Sequence, residues 1–187
     1  MANRNEQGFG LIAAGALGST PATSGQGKYK IDANFGTTLF HGGAVASAAG
    51  YIVDGQTTDA PILGVLNGIF YNAATTLKPT FANHYVQVTP ANSEDIDAFV
   101  FDNPTQQFVV STDDALAQAG YLETYDMNVS AGSTTTGQSS ATLDIADTSA
   151  DSASWRLLRT AEDPENQDLT EAFTSVVVVA NLTELQN

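Results

Sequence analysis

The chain contains no cysteine. Disulfides, zinc–thiolate sites, iron–sulfur clusters and thiol nucleophiles are therefore excluded. Cations are scarce as well: six Lys and Arg stand against 21 Asp and Glu, a formal net charge of −15. A surface of that sign repels phosphates, so neither nucleic acid nor an anionic membrane is expected as a partner. No run of about 18 apolar residues occurs, and no membrane span is expected. Only two histidines are present, His41 and His84. They lie far apart and outside any HxxxH metal spacing, so a hydrogen-bonded structural role is the expectation for each.

What the chain does contain is 187 residues, enough for one domain, or for one domain plus an arm or a small subdomain. A domain of that length buries roughly 70% of the surface that its unfolded chain exposes, so it needs no metal or disulfide staple. The acids are unevenly spread. Residues 1–94 carry five (Glu6, Asp32, Asp54, Asp59, Glu94) against four cations, whereas residues 95–187 carry sixteen against Arg156 and Arg159. The plain reading of this acidity is solubility. The functional one is an outward surface that keeps crowded copies apart.

Residues 1–27 are rich in Gly, Ala, Ser and Thr and show neither a helical stripe nor sustained alternation, which reads as an extended arm. The apolar stretch Phe9 to Leu17 is interrupted by Gly10 and Gly15, and Arg4 and Glu6 cancel ahead of it, so no secretory signal is expected. From Lys28 the texture becomes β. Lys28 to Ile31, Thr37 to Phe40, Ala44 to Ser47, Tyr51 to Val53 and Pro61 to Tyr71 form short strand candidates with turns every 8 to 12 residues. Ala49-Gly50 closes a hairpin. Gly64 and Gly68 predict a bent or bulged strand. Further along, Tyr85 to Val88, Ile96 to Phe101, Phe108 to Val110 and Trp155 to Leu158 read as strands. Tyr125 to Val129 and Ala141 to Ile145 read as a hairpin around the low-complexity loop 131–140. Phe173 to Ala180 is a continuous β-branched run, the mark of a strand buried on both faces. One short helix is predicted over Thr112 to Gly120, with Thr112 as cap, two acids in the first turn and Gly120 as terminator.

Chemistry is harder to find. No GxSxG elbow is present, and the serines near Gly132 and Gly137 lie in a polar loop without a strand-to-helix setting. The N-terminal glycines match neither GxGxxG nor GxxxxGK[ST]. Asp95 and Asp97 share one face of a strand, and Asp144, Asp147 and Asp151 recur in a loop. Either set could hold calcium, but the DxDxDG pattern is missing and acids cluster by chance in so acidic a chain. Asn128 and Asn181 match the glycosylation pattern and are read as accidental. Phe70, Tyr71, Phe81, Tyr85, Phe99, Phe101 and Trp155 fall mostly on strands and are expected in the core, while Phe9 and Tyr29 lie outside it and could anchor a partner. No enzyme, no metal and no cofactor is expected.

The opening GFGLIAAGALGSTPATSGQGKYKI resembles the start of a family of tailed-phage virion proteins of the head-decoration, or cement, type. PILGVLNGIFYNAATTLKPTFANHYV at Pro61 to Val86, DIDAFVFDNPTQQFVV at Asp95 to Val110 and the closing WRLLRT…SVVVVAN resemble further stretches of it in order and spacing. The correspondence is weakest over Tyr125 to Ser154. Ala13, Ala14 and Ala16 in the arm, and the absence of a glycine in Thr170 to Phe173, depart from the pattern. These motifs are structural, so the resemblance implies a place in a particle rather than an activity.

With the β texture, the resemblance implies a mostly β fold: a small antiparallel β-barrel- or β-tulip-like body with one short helix and an extended N-terminal arm. The arm is expected over 1–27 and the body over 28–187, the body either whole or divided into a small barrel at 28–90 with 91–187 packed on it. The implied partners are the major capsid protein and further copies of the chain, a homotrimer ahead of a dimer. The implied location is the capsid exterior, after synthesis in the host cytoplasm. Residues expected at the capsid contact are Arg4, Phe9, Leu11, Ile12, Lys28, Tyr29 and Lys30. The alternative is another virion β-module, on the tail or at a receptor.

Overall fold

The computed structural model describes residues 3–18, 25–55, 61–146 and 153–186. The fold is mostly β and antiparallel, as the alternation predicts. Its strands are β1 (Ile12–Ala16), β2 (Gly27–Ile31), β3 (Ala44–Ala48), β4 (Tyr51–Asp54), β5 (Gly64–Asn72), β6 (Pro79–Ala82), β7 (Ile96–Phe101), β8 (Gln106–Ser111), β9 (Thr124–Tyr125), β10 (Met127–Asn128), β11 (Thr142–Leu143), β12 (Trp155–Thr160) and β13 (Ser175–Ala180). They form a five-stranded sheet in the order β1-β8-β13-β12-β9, a six-stranded sheet in the order β2-β7-β5-β3-β4 with β6 on β5, and the small pair β10-β11.

Each sheet has its own core. Phe108, Val110, Trp155, Leu157, Val176 and Val178 centre one, and Ile31, Ile52, Leu66, Ile69, Tyr85, Ile96 and Val100 the other. The two meet where neighbouring residues of one strand turn opposite ways. Ala44 and Val65 face the first core, while Val45 and Leu66 face the second. The chain changes sheet at 102–105. There the Asn103 carboxamide oxygen accepts hydrogen bonds from the Thr105 backbone N–H at 3.0 Å and from its hydroxyl at 2.9 Å. β7 thus pairs with β2 and β5, and the six-stranded sheet runs past residue 90 to Phe101.

Local chemistry explains most elements. Ala49 (φ 51°) and Gly50 (φ 86°) make the tight β3–β4 turn, where two positive φ values match the twist of the strands. β5 is bulged between Leu66 and Gly68 against β7, as its glycines predict. A Cβ at Gly64 would collide with the Phe101 carbonyl, so β5 and β7 can approach only with glycine there. β13 lies between β8 and β12 with Val176 to Val179 at most 5% exposed. Each of those valines contributes roughly 1.5 kcal/mol or more by burial.

Several expectations are corrected. No sheet closes into a barrel among the described residues. β2 and β4, the two ends of the six-stranded order, come within 8 Å at Cα but share no ladder, so that sheet curls without closing. The helix expected at Thr112 to Gly120 is absent, and only Gln118–Gly120 forms a 3-10 turn. Tertiary bonds take the groups that the helix needed. The Thr112 hydroxyl accepts from the Thr174 N–H at 3.2 Å, the Asp113 N–H bonds to Leu143 O, and the Leu116 N–H to Leu169 O. Thr37 to Phe40 and Tyr85 to Val88 supply only a bridge, Leu39 to Tyr85, instead of strands.

The described part of the N-terminal arm does not project. The Asn3 carboxamide donates to Asp168 O, Ala172 O and Thr174 Oγ1 at 2.9–3.1 Å and accepts from the Asp168 N–H at 3.0 Å. The Asn5 N–H donates to Asn166 Oδ1 at 2.8 Å, and β1 pairs with β8 as an edge strand. Polar side chains early in the arm find backbone partners in the C-terminal loop, which holds it against the body. Residues 19–24 of the arm lie outside the described residues.

Candidate interaction face

On β7, Ile96, Ala98 and Val100 are fully buried, so Asp97 and Phe99 point to the opposite, outward face. The register then assembles two rows across the sheet. One runs Lys30 on β2, Asp97 on β7, Phe70 on β5, Phe81 on β6. The other runs Lys28, Phe99, Gly68. The result is an outward face with aromatic rings on the β6 side and lysines on the β2 side.

The rings touch. Phe70 and Phe81 lie 4.9 Å apart at centroids with a 49° interplanar angle, and Phe81 and Phe99 lie 6.0 Å apart, stacked at 16°. Phe81, in the middle, is 73% exposed. A lone exposed apolar residue is ordinary; here an exposed ring is joined to two half-buried ones on a sheet face, which makes this face the candidate for a contact.

Beside the rings, Lys28 Nζ lies 2.7 Å and Lys30 Nζ 2.6 Å from the two carboxylate oxygens of Asp97. Burial pushes the Asp97 carboxyl up, but the hydrogen bonds and charges of both lysines outweigh it and hold it below its ordinary value. One anion is shared by two cations here, and Glu94 and Asp95 border the same hollow as Lys30 and Asp97, so the lysines lie in a mixed-charge patch of a chain of net charge −15.

The residues expected at the contact do not come together. Lys28 and Lys30 lie on this face. Tyr29, between them, points inward against the second core, and its hydroxyl donates to Asp102 at 2.7 Å. Leu11 is 1% exposed inside the first core and cannot reach a partner, because the Leu11 N–H bonds to Gly42 O and draws the chain inward there. Phe9 is half-buried, and Ile12 is 47% exposed on the edge strand of the other sheet. Arg4 pairs with Glu165 at 2.5 Å on the C-terminal loop.

Tyr29 has a measurable consequence. Burial, then the bond to the Asp102 carboxylate, pushes its phenol up to about 12 from 10.0. The folded chain therefore holds a proton that the unfolded chain releases between those values. The stabilisation is complete below pH 10 and is lost as the pH rises from 10 towards 12. The phenols of Tyr51, Tyr85 and Tyr125 are pushed up as well, so absorbance titration of tyrosinate should show a step near 12 among several raised ones, and Asp102→Asn should bring that step down. A step unchanged in the variant would contradict the Tyr29–Asp102 bond.

The other candidate groups serve the fold. His41 Nδ1 donates to Asn67 O at 2.9 Å, and His84 stacks on Phe40 and bonds to Asn83. Asp95 accepts from the Tyr51 hydroxyl while Asp97 takes the lysines, so the pair splits between different partners. Among the described residues no three acids or histidines converge as a metal would require, and Asp147 and Asp151 lie outside them. The Asn181 carboxamide binds Ala153 O and Arg156.

Phe70, Phe81 and Phe99 are expected in the core; the structure exposes Phe81 and leaves Phe70 and Phe99 half-buried on the outward face, which is the main departure from the sequence reading. A signal existed: Phe99 stands two residues after Asp97, on the same side of a strand, and a carboxylate there marks the wet face. Searches against protein-family models, curated proteins and solved structures found no match to this chain.

Proposed function

We propose that the protein is a capsid decoration protein, which binds the outside of an assembled phage head through the Phe70–Phe81–Phe99 face and catalyses nothing. The carrying observation is that aromatic cluster, exposed at Phe81 and flanked by Lys28 and Lys30 in an otherwise acidic molecule. Aromatic centres with few acids are what protein contacts use. The resemblance of the N-terminal, Pro61 to Val86 and Asp95 to Val110 stretches to virion proteins supports the same reading. The partners in it are the major capsid protein and further copies, as a homotrimer, and the curled six-stranded sheet is the β-tulip-like part of the body.

A cement protein works by area. A specific contact buries about 1,200–2,000 Å² in total, and many copies on one closed shell add avidity to a modest single site. The acids elsewhere then face solvent and keep neighbouring copies apart. Purified protein should co-sediment with expanded heads and stay in the supernatant with free capsid subunits. Heads that leave it in the supernatant, while tails or host glycans capture it, would sink the proposal.

A further inference from the structure

We infer that this face receives an extended peptide segment of the partner, which puts one apolar side chain into a notch over Gly68 and a carboxylate beside Lys28. The inference rests on the docking role just proposed. Gly68 follows the β5 bulge and leaves a hollow with Phe81 and Phe99 as walls and Gln26, Asn67 and Asn83 at the rim. A Cβ at residue 68 would stand 2.9 Å from Ala82 O, so glycine keeps the floor low. Walls of two phenyl rings favour an apolar guest.

The rim and the lysines supply the rest. The Asn83 carboxamide is committed to Thr136 O at 2.7 Å and to His84. Those of Gln26 and Asn67 bond to no described residue. Each offers a donor and an acceptor, which is what the alternating N–H and C=O of an extended backbone need. Lys28 and Lys30 have side chains 59% and 49% exposed and share the Asp97 carboxylate; Glu94 and Asp95 border the hollow at Lys30 but not Lys28, so Lys28 is the cation placed to take a second carboxylate. Gly68, Phe99 and Lys28 stand in one row on adjacent strands, so the notch and Lys28 are about 10 Å apart. Alternate residues of an extended segment are roughly 7 Å apart, and the flexible lysine spans the remainder. The motif is therefore an apolar residue, any residue, then Asp or Glu, laid across the strands.

The test titrates full-length protein with a capped seven-residue peptide, Ser-Thr-Leu-Thr-Glu-Thr-Ser, followed by amide NMR shifts. Two controls replace its leucine with serine or its glutamate with lysine. Shifts should concentrate at residues 28, 67, 68, 81 and 99, and either control should bind at least fivefold more weakly. Lys28→Glu should reverse the order of the Glu and Lys peptides, a change that altered stability cannot mimic, and Gly68→Ala should weaken the parent peptide. Equal binding of all three peptides, shifts centred elsewhere, or perturbation of the same amides by maltoheptaose but not by peptide would each overturn the inference. Head binding is read separately. If heads bind through Phe81 while the peptides show no order, this inference alone fails. If the peptides keep their order while heads are ignored, the motif stands and the capsid reading falls.

Discussion

Trp155→Ala is expected to cost about 3–5 kcal/mol of folding stability, the range for emptying a buried large aromatic site. Trp155 is 1% exposed and starts β12, where it pairs with Ala180 on β13 and Tyr125 on β9. Its ring meets Phe108 edge-on, at 5.7 Å and 89°. Removing it leaves a cavity bordered by three strands of one sheet, and a sheet held by ladders on both sides collapses poorly into such a space. For a chain of this size the melting temperature should fall by roughly 6–20 °C. A fall of under 2 °C by calorimetry would contradict the packing of the five-stranded sheet around this residue.

Phe81→Ser should have the opposite signature. With a side chain 73% exposed, its loss removes little burial, and the ring pairs with Phe70 and Phe99 are worth about 1 kcal/mol together. Thermal stability should therefore change by only a few degrees. Binding to expanded heads should weaken by about 30-fold or more, because a central aromatic anchor carries about 2 kcal/mol or more of a contact. Co-sedimentation across a concentration series separates the two effects. Unchanged head affinity in a folded Phe81→Ser protein would remove this face from the docking role.

These two aromatic residues also show how far the sequence can be read. Trp155 stands in a β-prone run, whereas Phe81 falls in Asn72 to Asn83, which reads as a polar loop but supplies β6 at Pro79–Ala82. Trp155 was correctly expected inside. Phe81 is expected there as well, yet it is exposed: β6 is an edge strand, and its register on β5, its ladder partner among the described residues, sets Phe81 beside Phe70 on the outward face. Which strand ends at an edge depends on pairings between distant segments. By contrast, Phe99 could have been placed outside from its spacing to Asp97. The helix expected at Thr112 failed for a related reason. Its cap and first-turn acid were sound local signals, but strands near residues 143 and 174 supplied competing partners.

The sequence alone determined what rests on short-range chemistry. The strand period set the antiparallel β content, Ala49-Gly50 set a hairpin, Gly64 and Gly68 set a bulged strand, and the run at Val176 to Val179 set a strand covered on both sides. Tertiary structure decided what depends on contacts between residues far apart. It placed β7 in the six-stranded sheet and β8 in the five-stranded one, laid the N-terminal segment against the C-terminal loop, left the curled sheet open, and brought Lys28, Lys30, Phe70, Phe81 and Phe99 onto one surface. The physical reason is that alternation tells which residues share a side of a strand, whereas ladder register between strands, which no local window contains, tells which strands lie side by side.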